Sequence, residues 1–185
     1  TPGAERRQGG IPVAGYIETH IEQGPRLESA GLTVGAVTGI QGGSSFAVTV
    51  TGIDGHAGTV PLQARRDAFR SAHGIIDALY RDLADPSDTV RFTVGRFEAH
   101  PGSPNTIPGK VIFTIDFRHP DQAFFRAKVN GMAAFCAAHA GPCEVVVQER
   151  HAGDPADFDE TVVARIERIA GELEIPAMRM PSGAD

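Results

Sequence analysis

The sequence predicts an α+β fold in which two helices cover one face of a mostly antiparallel sheet of four strands. Segments 46–50 and 111–117 alternate between apolar and polar residues, with the period of two that half-buried strands show. Segment 68–83 carries apolar residues at spacings of three and four, which gives a helix one apolar face. These periodic segments lie within one continuous unit of about residues 44–150.

The elements of this unit alternate in a regular order. They are predicted as a strand at 46–50, a helix from Pro61 to Leu83, a strand at 89–98, a turn-rich loop at 100–109, a strand at 111–117, a helix between Asp121 and Gly141, and a short strand at 145–147. Pro61 suits a first helical turn because its missing N–H is not needed there, and Asp85-Pro86 ends that helix. The resulting β-α-β-β-α-β order is the ferredoxin-like plan.

The segments on either side of this unit have too few apolar residues to form a core of their own. They are predicted as a strand at 16–21, a short helix ending near Ala30, a strand at 34–40, an amphipathic helix at 162–173 and a strand at 175–180. We therefore expect three parts, 1–43, 44–150 and 151–185, in which the middle part is inserted into fragments of another domain. The last residues form a loop that leads to no further element, so the chain is expected to be a fragment.

The composition excludes several classes of protein. The 185 residues carry 17 Lys and Arg against 23 Asp and Glu, with no Trp, which argues against a nucleic-acid surface. No apolar stretch approaches the roughly 18 residues of a membrane span, and Thr1 to Gly10 lack the apolar segment of a signal peptide. Two cysteines suit a reducing compartment. A cytoplasmic protein without nucleic-acid or membrane partners is expected.

Two histidines stand in settings that suit catalytic chemistry. His20 lies between Glu18 and Glu22, and on a strand these three side chains share a face, so His20 is either a metal ligand or a satisfied histidine on a solvated strand edge. His56 lies among small residues in the segment Gly55-His56-Ala57-Gly58, which lets a substrate approach closely. It either donates a hydrogen bond to a developing oxyanion or belongs to a tight exposed turn.

A third candidate site consists of the amide side chain of Asn105 and the guanidinium of Arg118. Asn105 lies between prolines in Ser103-Pro104-Asn105-Thr106-Ile107-Pro108, and Arg118 ends the third predicted strand. Arg118 can bind a carboxylate through two parallel hydrogen bonds. The alternative is that Asn105 only shapes the turn and that Arg118 pairs with Asp116 or Asp121.

Taken together, five ordered motifs resemble the metal-dependent amidase, hydantoinase and carbamoylase family of the aminoacylase and carboxypeptidase superfamily. They are THIEQGP, GIQGG, GHAGTVP running into Arg-Arg-Asp-Ala, SPNTIPG and TIDFRHPD. The family includes N-carbamoyl-L-amino-acid hydrolase, β-ureidopropionase and allantoate amidohydrolase. The resemblance covers about residues 15–184 and implies an inserted ferredoxin-like lid and dimerisation domain, flanked by pieces of a two-metal catalytic domain.

The resemblance also implies roles for individual residues. His20 matches a ligand of one metal ion, and Gln23 falls beside the substrate. His56 matches a histidine that reaches the substrate carbonyl or oxyanion across the dimer, and Asn105 and Arg118 match residues that hold the substrate carboxylate. The family binds two divalent ions, for which Zn, Mn, Co and Ni are all suitable, and forms homodimers through the lid.

The implied activity is hydrolysis of a linear amide C–N bond in an N-carbamoyl or related ureido acid, a small-molecule substrate. The alternatives are an aminoacylase or peptidase of the same superfamily and a non-catalytic ferredoxin-like dimerisation module. The family's catalytic Glu and its other metal ligands before the His20 motif have no match in Thr1 to Gly15, and Asp185 follows Pro-Ser-Gly-Ala where a Gly-His is usual. The 185-residue chain alone is therefore expected to be inactive.

Overall fold

A computed structural model describes residues 13–183 of the chain, so the expectations for residues 1–12 and 184–185 lie outside the described residues. The elements, in chain order, are α1 (Arg26–Ala30), β1 (Val34–Ile40), β2 (Gly42–Thr51), β3 (Gly55–His56), a 3-10 turn (Leu62–Ala64), α2 (Ala68–Asp82), β4 (Arg91–Thr93), β5 (Phe97–His100), β6 (Thr106–Ile107), β7 (Lys110–His119), α3 (Gln122–His139), β8 (Glu144–Gly153), β9 (Ala156–Asp157), α4 (Glu160–Glu172) and β10 (Ala177–Ser182). No helix among the described residues has both the length and the apolar character to cross a bilayer.

The main sheet has five strands in the order β4-β7-β2-β8, with β5 also pairing with β7. Every pair in this sheet is antiparallel. The first, third and fourth strands of the ferredoxin-like plan are β2, β7 and β8, and the second is split into β4 and β5. In space the four strands therefore follow the order fourth, first, third, second. The α+β fold class and its ferredoxin-like βαββαβ order are confirmed.

The core forms where α2 and α3 pack on one face of this sheet. Every second residue of β2 and β7 points into it, and these residues are joined by the inner faces of the two helices. The largest fully buried side chains include Phe113, Phe117, Phe125 and Ile75. Burial of a side chain of this size stabilises the fold by about 1.5–3 kcal/mol. The alternation that predicts the strands is therefore the alternation that builds the core.

The first long helix begins later than predicted, at Ala68 rather than near Pro61. The Asp67 carboxylate accepts hydrogen bonds from the backbone N–H groups of Phe69 (2.9 Å) and Arg70 (3.2 Å) and so caps the helix. Pro61 has extended backbone angles and precedes only the short 3-10 turn. Side-chain capping by Asp67 therefore decides the start of α2.

The second and fourth strands of the unit also differ from the prediction. The segment predicted as one strand at 89–98 is broken into β4 and β5. The backbone N–H of Arg96 donates to the Thr114 side-chain hydroxyl (3.1 Å) and not to a backbone carbonyl of β7, which interrupts the regular strand pairing. The predicted turn-rich loop contains the short strand β6. The fourth strand runs over Glu144–Gly153 instead of 145–147, since it pairs with β2 along that strand's length.

A second, three-stranded sheet has the order β10-β1-β9, with β1 parallel to β10 and α4 packed beside both. The chain passes from β1 in this sheet to β2 in the main sheet with only Gln41 between them.

The predicted strand at 16–21 is wrong: these residues are exposed and lack regular structure, because no described segment pairs with their backbone. The division into 1–43, 44–150 and 151–185 stays a prediction.

Candidate functional site

His56 and Asn105 are brought together by the short β3–β6 ladder. His56 lies opposite Thr106 in this ladder, and the backbone carbonyl of Asn105 accepts a hydrogen bond from the N–H of Ala57 (2.9 Å). The Asn105 side-chain oxygen accepts a hydrogen bond from the Ser103 hydroxyl (3.0 Å). Both His56 and Asn105 are exposed. The structure therefore places two of the predicted site residues side by side at the surface.

The ladder that carries His56 continues the β2–β7 pair beyond its end. The N–H of Gly52 donates to the Gly109 carbonyl (2.8 Å), and the N–H of Ile53 donates to the Arg66 carbonyl (2.8 Å). A Cβ atom at Gly52 would lie 1.9 Å from the Arg66 carbonyl oxygen, so only glycine lets the chain pass there. This close crossing fixes the path of the chain from β2 to His56.

Arg118 lies near the opposite end of the main sheet. It stands opposite Gly43 in the β2–β7 ladder, whereas the His56 segment follows the Thr51 end. At roughly 3.3 Å per residue, these two ends of the ladder lie about 26 Å apart. Within one chain, the structure does not bring Arg118 together with His56 and Asn105.

Asp116 and the Gly183 carbonyl are among the partners of the Arg118 side chain. Its Nε atom donates to an Asp116 carboxylate oxygen (2.9 Å) and its Nη2 atom to the other (3.3 Å), while Nη1 donates to the Gly183 carbonyl (2.7 Å). Of the two alternative partners expected for Arg118, Asp116 is the observed one, and Asp121 instead caps α3 through the N–H of Phe124 (2.7 Å). The contact with Gly183 joins Arg118 to the end of β10.

His20 and Gln23 lie in the exposed segment before α1. The His20 Nδ1 atom lies 2.6 Å from the Ile21 carbonyl oxygen, and Gln23 has a left-handed backbone (φ 50°) that turns the chain toward the helix. Glu22 does not point to His20: its carboxylate accepts hydrogen bonds from the backbone N–H groups of Arg26 (2.8 Å) and Leu27 (2.9 Å). The expected common face of Glu18, His20 and Glu22 is absent, because this segment is not a strand.

With this geometry in place, comparison with known proteins identifies the fold family. Residues 38–144 match the family model of the peptidase dimerisation domain. The chain belongs to the peptidase dimerisation domain family. The matched segment contains β2 to β7 and both core helices, together with His56, Asn105 and Arg118.

Longer relatives of this peptidase dimerisation domain are amidohydrolases. The chain is 35% identical to an N-carbamoyl-L-amino acid amidohydrolase of Geobacillus stearothermophilus, covering 99% of the chain and 44% of that protein. It is 33% identical to an allantoate amidohydrolase of Bacillus subtilis, covering 93% and 42%. A hydantoinase/carbamoylase family amidase from Burkholderia multivorans superposes with a TM-score of 0.79 at 38% identity, covering 90% and 41%. The family resemblance is confirmed, and the chain spans less than half the length of these relatives.

Metal binding can be tested on the described part of this dimerisation domain and its flanks. No three His, Cys, Asp or Glu residues among those described lie together as a metal site. At His20, the Ile21 carbonyl oxygen only accepts hydrogen bonds, so its contact with Nδ1 puts the ring proton there and leaves the lone pair on Nε2. The described residues therefore do not form a complete metal site.

The two cysteines of the domain lie inside the protein. Cys136 and Cys143 are both buried and free. Burial raises the pKa of the Cys136 thiol to about 11, which keeps it protonated at neutral pH.

The sequence does not reveal the contacts that Gly58 and Arg65 make around His56. The backbone N–H of Gly58 donates to the His56 Nδ1 atom (3.0 Å), and the Arg65 guanidinium donates to the carbonyl oxygens of Ala57 (2.6 Å) and Val60 (3.0 Å). Both residues lie inside the motif that singles out His56. In the sequence, Gly58 is visible only as a glycine two residues after a histidine, and Arg65 only as an arginine shortly before a helix. Neither pattern specifies a contact by itself.

Proposed function

We propose that this chain is the lid and dimerisation part of a metal-dependent amidohydrolase that cleaves a linear amide C–N bond in an N-carbamoyl or related ureido acid. The observation that supports this most is that His56, Asn105 and Arg118 lie within a peptidase dimerisation domain whose longer relatives are N-carbamoyl-amino-acid and allantoate amidohydrolases. The substrates and the activity are carried over from those relatives as proposals.

In this proposal the chain binds and orients the substrate. Arg118 exchanges the Gly183 carbonyl for the substrate carboxylate, which its planar guanidinium holds through two parallel hydrogen bonds while Asp116 fixes its opposite edge. Asn105 adds an amide hydrogen bond to the same substrate. His56 donates a hydrogen bond to the oxyanion that develops on the scissile carbonyl. Fixing the carboxylate sets the position of the scissile bond, which reduces the entropic part of the barrier.

We propose that His20 is one ligand, through Nε2, of a divalent metal site that residues beyond those described complete. When bound, such ions polarise the carbonyl and lower the pKa of a water molecule. The contribution of this chain is to hold the His20 ring: the Ile21 carbonyl accepts its Nδ1–H and keeps the Nε2 lone pair available. Gln23, in the turn that follows His20, is proposed to lie beside the substrate.

The separation of His56 from Arg118 supports an active site shared between two chains. An isologous dimer with a two-fold axis normal to the main sheet reverses the strand direction between its two halves. The Arg118 end of one sheet then lies beside the His56 end of the other. One site therefore combines Arg118 of one chain with His56 and Asn105 of its partner, and the dimer contains two such sites.

A surface suited to this dimer lies along α2 and the outer edge of β4 and β5. Three aromatic residues remain exposed there: Tyr80 (52%), Phe69 (47%) and Phe97 (39%). Phe69 packs edge-on against Phe97 (centroids 5.5 Å apart), and Tyr80 packs against Phe92 of β4 (4.9 Å), so the helix and the strand edge form one apolar surface. We propose that a second copy of this chain covers it, since exposed aromatic residues beside an open strand edge favour association.

The activity is tested by assaying the polypeptide that contains this chain, loaded with Zn, Mn, Co or Ni, on N-carbamoyl amino acids, 3-ureidopropionate, allantoate, N-acyl amino acids and dipeptides. We expect hydrolysis of at least one ureido acid with release of ammonia, loss of activity with a chelator, and no turnover by the isolated chain. A preference for dipeptides or N-acyl amino acids would instead indicate a peptidase or an aminoacylase. If no substrate were hydrolysed, the proposed activity would be wrong and the chain would be assigned to the alternative, a non-catalytic dimerisation module.

A further inference from the structure

The His56 ring is held in one tautomer by the backbone. The N–H of Gly58 points at Nδ1 of His56 with a donor–acceptor distance of 3.0 Å. A backbone amide nitrogen can only donate, so Nδ1 must offer its lone pair. In the neutral ring the proton is therefore on Nε2, which leaves His56 with an outward N–H donor.

Gly58 approaches the His56 ring closely. A Cβ atom at this position would lie 3.1 Å from the ring Cε1 and 3.3 Å from Nδ1. The Gly58 backbone does not have a left-handed φ angle, so this contact is what opposes an alanine there. An alanine at residue 58 would shift the exposed ring by a few tenths of an ångström relative to the N–H that fixes its tautomer.

Arg65 holds the turn that carries this N–H. Its Nη2 atom donates to the Ala57 carbonyl (2.6 Å) and its Nε atom to the Val60 carbonyl (3.0 Å), so one guanidinium joins both ends of the turn. The N–H of Val60 in turn donates to the His56 carbonyl (3.1 Å). These bonds keep Gly58 in place relative to the ring.

We propose that Gly58 and Arg65 are positioning residues that hold His56 as the Nε2–H tautomer, so that it acts as a hydrogen-bond donor and not as a general base. The inference rests on the proposed function for what the donor meets, but the tautomer itself is a property of the free protein. The arrangement is the reverse of His20, whose Nδ1 carries the proton. The two rings are thus prepared for different tasks, one as a ligand and one as a donor.

The tautomer is tested by long-range proton–nitrogen NMR on the 15N-labelled protein at about pH 8.5, where an ordinary imidazole is neutral. The His56 signals are identified by their loss in His56→Gln. We expect a protonated Nε2 and an unprotonated Nδ1 in the unmodified protein, and a mixture of tautomers in Gly58→Ala and in Arg65→Met. Gly131→Ala is the matched control, because its added Cβ meets no atom within 4 Å on α3. An equal mixture or an Nδ1–H ring in the unmodified protein would overturn the inference.

Kinetics separate this inference from the proposed function. In the active enzyme, Gly58→Ala should lower kcat roughly 10- to 100-fold with a much smaller change in KM, because a displaced donor is missed mainly in the transition state. An unchanged kcat together with a shifted tautomer would refute the positioning role while leaving the activity established. The expected spectrum in a protein without amidohydrolase activity would refute the proposed function and retain the tautomer assignment.

Discussion

His56→Ala is expected to lower kcat about 100- to 1000-fold while changing KM little. The proposed contact of Nε2–H with the substrate strengthens as negative charge develops on the scissile carbonyl, so its loss raises the barrier more than it weakens binding. Steady-state kinetics on the best ureido substrate, with kcat and KM measured separately, provide the test.

His139→Ala is the matched control for this substitution. His139 is also exposed, but it ends α3, which packs on the face of the main sheet opposite to the one that carries Arg118 and Asp116. We expect it to retain the kcat of the unmodified enzyme. If His56→Ala raised KM with kcat intact, His56 would contribute uniform binding and not transition-state stabilisation. Equal kinetics for the two variants would remove His56 from the site.

Arg118→Lys is expected to lower kcat/KM roughly 30- to 1000-fold, which corresponds to about 2–4 kcal/mol. Lysine keeps the positive charge but loses the planar two-point contact with a carboxylate. The loss should be largest for substrates with a free carboxylate and small for their methyl esters. Measuring both series on both enzymes isolates the carboxylate contact from any general disturbance.

Arg168→Lys is the matched control because Arg168 also forms an ion pair, with Glu172 on α4, and is exposed. An exposed pair of this kind contributes little, so we expect unchanged kinetics. If Arg118→Lys behaved like Arg168→Lys, the pair of Arg118 with Asp116 would be structural only, and the proposed substrate orientation would be wrong.

The fold could be predicted from sequence wherever one face of an element is buried. β2 and β7 show strict alternation because every second side chain enters the core, and α2 shows its spacing because one face packs on those strands. The prediction failed where a structure depends on a particular hydrogen bond. Capping by Asp67 moved the start of α2, and Thr114 interrupted the second strand at Arg96.

The candidate site was predictable as residue types but not as geometry. The motifs single out His56, Asn105 and Arg118, yet their order along the chain does not show that Arg118 lies at the other end of a ten-residue ladder. That separation follows from the antiparallel pairing of β2 with β7. The tautomers of His20 and His56 depend on single backbone contacts, which no residue pattern specifies.

The central claim, a site shared by two chains, is tested most directly by mixing His56→Ala and Arg118→Lys dimers under conditions that exchange subunits. A heterodimer then holds one intact site, made of His56 from the Arg118→Lys chain and Arg118 from the His56→Ala chain, and one doubly altered site. A statistical mixture should recover about one quarter of the unmodified activity. Tyr80→Lys, introduced into both chains, should prevent the recovery by opening the apolar surface. Exchange confirmed by mass spectrometry without any gain in activity would contradict the shared site. Because His56 and Arg118 lie near opposite ends of the β2–β7 ladder within one chain, at most one of them would then contact the substrate.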